Sequence, residues 1–141
     1  MTIHIEAHVD NARNAHHAAV TTNGLVREIA IPPRSTGFGS SANGGELLCL
    51  ALATCYCNDV HREARPRGID VLRVEVRASA EFGAPGAATT RLAYRVRVEA
   101  RAPEQAIREL IEHTDRVAEI QNTLRLGLPV LLASYEAVPV P

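Results

Sequence analysis

Residues 46–63 read ELLCLALATCYCNDVHRE, and the reading of this run decides the fold. In its first half apolar and small residues occupy nearly the whole helical circumference, so a helix here must be buried on several sides. The helix is expected from Glu46 to about Ala64, because the stop signals Pro66 and Gly68 follow. It carries three thiols, Cys49, Cys55 and Cys57, with Asn58, Asp59 and His61 close behind. The thiols are inert packing residues, metal ligands, or include one reactive group.

Upstream, Ile3–Val9, His17–Thr21 and Leu25–Ile31 read as short strands, with Thr22-Asn23-Gly24 as a hairpin turn. The loop RSTGFGSSANGG, residues 34–45, leads into the helix. Downstream, residues 69–82 alternate, with Leu72, Val74, Val76, Ala78, Ala80 and Phe82 on one face. After a Gly/Pro loop the alternation resumes with Leu92, Tyr94, Val96, Val98 and Ala100, making a long antiparallel hairpin that is wet on one face. Pro103 suits the first position of a helix carrying Ala106, Ile107, Leu110 and Ile111. A second helix is expected over Asp115–Leu126, ending at Gly127, and a last strand over Pro129–Val138. This order is an α+β architecture.

The chain has 141 residues, the usual size of one domain, and residues 1–141 are read as a single one. With 15 basic and 16 acidic residues there is no electrostatic case for nucleic acid or an acidic membrane surface. Every basic residue is arginine, so any fixed cation in a site is a guanidinium. The N-terminus shows no signal peptide, and no stretch approaches the ~20 apolar residues of a membrane span. Three cysteines are too few for a disulfide scaffold, which points to a reducing, cytoplasmic setting.

At 100° per residue, Cys55 shares a stripe with Leu48, Ala51, Leu52, Asn58, Asp59 and Arg62. Cys57 lies about 200° from it, and Cys49 about 120° away in the other direction. Cys49 and Cys57 are separated by roughly 12 Å along the axis. No pair can form a disulfide inside an intact helix. The cysteines and histidines also lack the spacing of a zinc site, so no metal or cofactor is expected. Asp59 reads as a surface partner of Arg62 one turn on. On pattern alone, inert packing and a reactive Cys55 both stand.

The stretch GSSANGGELLCLALATCYCNDVHREA, residues 39–64, changes the balance. A Gly-rich loop, Glu-Leu-Leu and a small-residue helix with a cysteine nine residues after the glutamate resemble the OsmC/Ohr family of osmotically inducible and organic hydroperoxide resistance proteins. The later IQNTLRLGLPV resembles the segment after that family's second cysteine. The resemblance implies an intertwined homodimer whose sheets wrap two central helices, with active sites at the interface. It also implies thiol-dependent reduction of organic hydroperoxides, an antioxidant stress-response activity. Cys55 matches the peroxidatic cysteine, and Glu46 the carboxylate that orients a catalytic arginine. For that arginine Arg34 is favoured over Arg13, because its loop leads directly into the helix. Ala118 stands where the family has its resolving cysteine, so an external thiol would have to act as reductant. A non-catalytic dimer binding an apolar small molecule and a ligand-free structural dimer are the alternatives.

Overall fold

Two tight turns shape the N-terminal sheet. Asn14 (φ 59°) closes strand β1 (Ile5–Ala12) onto β2 (Ala15–Thr22), and Asn23 (φ 48°) with Gly24 (φ 84°) closes β2 onto β3 (Leu25–Glu28). Positive φ at Asn-Gly matches the right-handed twist of a two-residue hairpin. The sheet is antiparallel in the order β1-β2-β3. β2 starts two residues before the expected His17, and β3 stops at Glu28 instead of reaching Ile31.

The structure is a computed structural model describing residues 1–141, which fall into two compact units, Met1–Leu48 and Cys49–Pro141. Helix α1 (Gly44–Ala64) begins two residues before the expected Glu46 and ends where Pro66 and Gly68 predicted. A short 3-10 turn (Arg65–Arg67) and Gly68 (φ 63°) then lead into β4 (Asp70–Glu81). This strand pairs antiparallel with β5 (Arg91–Arg101), joining Val74 to Val98, Val76 to Val96 and Ala78 to Tyr94.

The hairpin departs from strict alternation at one point. Val71 opposes Ala100 while Arg73 opposes Glu99, which leaves Leu72 as the extra residue of a β-bulge. The bulge reverses the phase, so Ile69 and Val71 pack inward before it, and Val74 and Val76 after it. Leu72, expected inside, is exposed, and so is Phe82 at the strand end. The core of this unit is Tyr56, Val60 and Ala64 of α1 with Leu110, covered by these valines, Tyr94, Val96 and Val98. The rings of Tyr56 and Tyr94 meet with centroids 5.3 Å apart.

Pro103 serves as N-cap rather than first residue of α2 (Glu104–Val117). The second helix, expected from Asp115, starts instead as α3 (Glu119–Leu126), because Ala118 is extended (φ −73°, ψ 117°). Alanine favours helix more than any other residue, so propensity does not break the chain here. The last carbonyls of α2, which lack partners within the helix, are met by side chains. Arg125 donates to Asp115 O at 3.1 Å, Asn122 to Arg116 O at 3.0 Å and Arg62 to Val117 O at 3.5 Å. Ala118 itself is fully buried. Residues 128–141 adopt neither helix nor strand, so the expected closing strand Pro129–Val138 is not formed within these units. A strand needs a partner edge, and this segment is exposed.

Candidate functional site

The break at Ala118 brings the start of α3 to Cys55. The thiol donates to Asp59 Oδ2 at 3.3 Å, one turn further along α1, and Glu119 Oε2 lies 3.8 Å from the sulfur. The Ile120 N–H, in the first turn of α3, also points at Sγ. Arg62 joins the two carboxylates: its Nη1 lies 2.6 Å from Glu119 Oε1 and 3.2 Å from Asp59 Oδ1. Its Nε donates to Glu63 Oε2 at 2.8 Å, and Glu63 Oε1 meets His113 Nε2 at 2.7 Å. A continuous polar chain thus runs from Cys55 through Asp59, Arg62 and Glu63 to His113.

Asp59 pairs with Arg62 as the sequence suggested, but not as a surface residue. It is only 6% exposed. Burial pushes its carboxyl above the usual range, and the hydrogen bond with Glu119 adds to this, against the opposing pull of Cys55 and Arg62. Glu119 is held low, first by that bond from Asp59. Burial also pushes the Cys55 thiol up. The Ile120 N–H pulls it down, while Asp59 and Glu119 push it further up.

Cys55, Asp59 and Glu119 present donor atoms within 4.8 Å of one another, a spacing a cation could use. The Arg62 guanidinium already lies against both carboxylates and supplies that positive charge. Sequence spacing could not reveal the cluster, since Glu119 is 64 residues from Cys55. His113, 50 residues from Glu63, was missed for the same reason.

The first unit holds Arg13, Arg34 and Glu46. Arg34 Nε donates to Ser40 O at 3.2 Å, and its side chain lies against Gly39, where a Cβ would come within 3.2 Å of it. Arg13 stacks over the Phe38 ring at 4.9 Å. Both arginines therefore hold the 34–43 loop. Glu46 forms a reciprocal capping box with Asn43: the Asn43 N–H donates to Glu46 Oε1 at 2.9 Å, and the Glu46 N–H to Asn43 Oδ1 at 2.8 Å. Cys49 and Cys57 are half-buried free thiols, and Cys57 lines a recess with Val74 and Val76. Leu52, one turn before Cys55, lines an apolar recess of about 200 Å³ with Leu92, Tyr94, Gln121 and Leu124.

The second unit is an α+β body whose central helix presents a half-buried thiol at the junction of two further helices. The chain belongs to the OsmC-like protein family, whose sequence profile matches residues 37–132. Solved structures share the fold. An OsmC-like protein of Mycoplasma pneumoniae is 17% identical, with 89% of this chain and 88% of that one covered at a TM-score of 0.58. An organic hydroperoxide resistance protein OsmC of Legionella pneumophila, described as a predicted redox protein, is 19% identical, with 86% and 89% covered at 0.56. The organic hydroperoxide resistance protein OhrB of Bacillus subtilis is 16% identical, with 88% and 92% covered at 0.51. No curated protein matches the chain. The α+β class and the family expected from sequence are both borne out, and no helix is long and apolar enough to cross a membrane.

Proposed function

We propose that this protein reduces organic hydroperoxides through the single reactive thiol of Cys55, with an external small thiol as reductant. The observation that carries the proposal is the setting of Cys55. Alone among the three cysteines, it has side-chain hydrogen-bond partners and a helix-terminal N–H directed at the sulfur. Hydroperoxide resistance proteins among the structural relatives support the substrate class. The sulfur attacks the outer peroxide oxygen, the O–O bond breaks, and Cys55 becomes a sulfenic acid while the organic fragment leaves as an alcohol. Arg34 is proposed as the guanidinium that favours the thiolate, with Glu46 in the supporting role that the family resemblance gives it. Reductant thiols suit a cytoplasmic setting.

The test is site-resolved. Brief exposure to cumene hydroperoxide followed by a sulfenate-specific probe should label Cys55 well ahead of Cys49 and Cys57. Label found mainly on Cys57 would overturn the assignment, and no label on Cys55 would favour a binding module instead.

The working form is proposed to be a homodimer of one OsmC-like domain per chain. Val130, Leu131, Leu132 and Tyr135 are 80–98% exposed, and Ile5 and Val9 of β1 are uncovered as well. Apolar surface on this scale marks an interaction site, and obligate interfaces resemble a core cut in half. Sedimentation at micromolar concentration should give a dimer; a well-folded monomer would remove this part of the reading.

A further inference from the structure

We propose that Asp59 is a catalytic residue: it takes the proton from the Cys55 thiol and delivers it to the alkoxide released when the peroxide bond breaks. The inference rests on the hydroperoxide reading and adds to it the proton path. Cleavage of an alkyl hydroperoxide by a thiolate expels an alkoxide, a strongly basic leaving group. A positioned acid therefore lowers the barrier.

The geometry selects Asp59. Arg62 grips Oδ1 of Asp59 and Oε1 of Glu119, so the other oxygen of each carboxylate is the one nearest the sulfur, at 3.3 Å and 3.8 Å. Asp59 is the closer and the better buried, and it sits one turn from Cys55 on the same helix. Glu119 and Arg62 are positioning residues. Arg62 is itself fixed by Glu63, which His113 holds from α2. Those are the charged and titratable groups along this chain: Cys55, Arg62 and Glu63 from α1, His113 from α2 and Glu119 from α3. A carboxyl raised by burial is suited to holding the proton until the alkoxide needs it.

The step balances. The S–H and O–O bonds break, and an S–O bond forms between Cys55 and the outer oxygen. The inner oxygen receives the proton from Asp59. Sulfur is oxidised to the sulfenic level, and the peroxide is reduced to an alcohol plus the transferred hydroxyl.

The experiment compares three first-turnover reactions at Cys55, followed by peptide-resolved mass spectrometry on the full chain and on Asp59→Asn. Cumene hydroperoxide leaves as a basic alkoxide, a peroxy acid leaves as a weakly basic carboxylate, and iodoacetamide needs only the thiolate. Loss of the Asp59 charge lowers the thiol's hold on its proton, so alkylation should quicken a few-fold. The peroxy acid should react at least as fast as with the wild type. Cumene hydroperoxide should slow about a hundredfold, and Asp59→Glu should recover part of that loss. Equal slowing of all three reagents would mark a merely structural role and overturn the inference, as would no slowing with cumene hydroperoxide. A wild type that is alkylated at Cys55 but oxidised by neither peroxide would instead bring down the hydroperoxide reading itself, and this inference with it.

Discussion

Cys55→Ser should lower thiol-dependent consumption of cumene hydroperoxide by about a thousandfold or more, to the background rate of free thiol. The size of the effect follows from chemistry rather than structure. A serine hydroxyl cannot be oxidised to the equivalent of a sulfenic acid, and at neutral pH it is not ionised. The structure limits the collateral damage, since serine can still donate to Asp59 as the thiol does. Thermal unfolding should therefore shift little, which separates lost chemistry from lost fold. Cys49→Ser and Cys57→Ser are the controls. Neither thiol has a side-chain hydrogen-bond partner like that of Cys55, so both variants should keep most of the activity. A Cys55→Ser protein that still turns over would move the reaction to another thiol and end the present assignment.

The legibility of this chain divides along physical lines. The long alternation exposed the hairpin, and the apolar run exposed the helix. The first half of α1, however, expected to be buried on several sides, leaves Leu47 and Leu50 exposed, and burial begins only at Leu52. The Asn23-Gly24 turn was readable because only a few residues tolerate positive φ. The bulge at Leu72 was not, since a single extra residue changes no composition and still places a leucine in an apolar run. The break at Ala118 ran against local preference. It is held by Arg62, Asn122 and Arg125 reaching the end of α2, and such contacts appear only once α1 and α3 are packed against it. The C-terminal run Pro129–Val138 has strand-forming residues, but strand formation requires an edge to pair with.

The site followed the same division. Cys55 was singled out because its helix and the preceding loop carry a family-like pattern. Asp59 and Arg62 were visible as neighbours on that helix, but Asp59's burial was not, because solvent is excluded by residues remote in sequence. Glu119 was invisible for a related reason. Read as mid-helix it is a solvated charge. Read as the first residue of α3 it is an acidic group at a helix N-terminus, beside the sulfur.

Excess organic hydroperoxide without added thiol should drive Cys55 past the sulfenic acid to the irreversible sulfinic acid, with no intramolecular disulfide formed. A two-cysteine peroxidase traps its sulfenate as a disulfide and so protects it. In this chain Cys49 and Cys57 lie on the same helix as Cys55 and face away from it, and no thiol follows Cys57. Only an external thiol can intercept the sulfenate, so inactivation should be suppressed by millimolar small thiol added beforehand and not by thiol added afterwards. Ala118→Cys sharpens the test. Ala118 directly precedes Glu119, whose carboxylate already reaches the Cys55 sulfur, and its extended backbone is held by the capped end of α2. The substitution should convert part of the inactivation into a reversible disulfide between Cys55 and the introduced thiol, seen as protection that reductant restores. The added sulfur at a fully buried position should destabilise the fold by about 1–3 kcal/mol. A wild-type bridge from Cys55 to Cys49 or Cys57 after mild oxidation would contradict this outright, because α1 would have to unwind to form it.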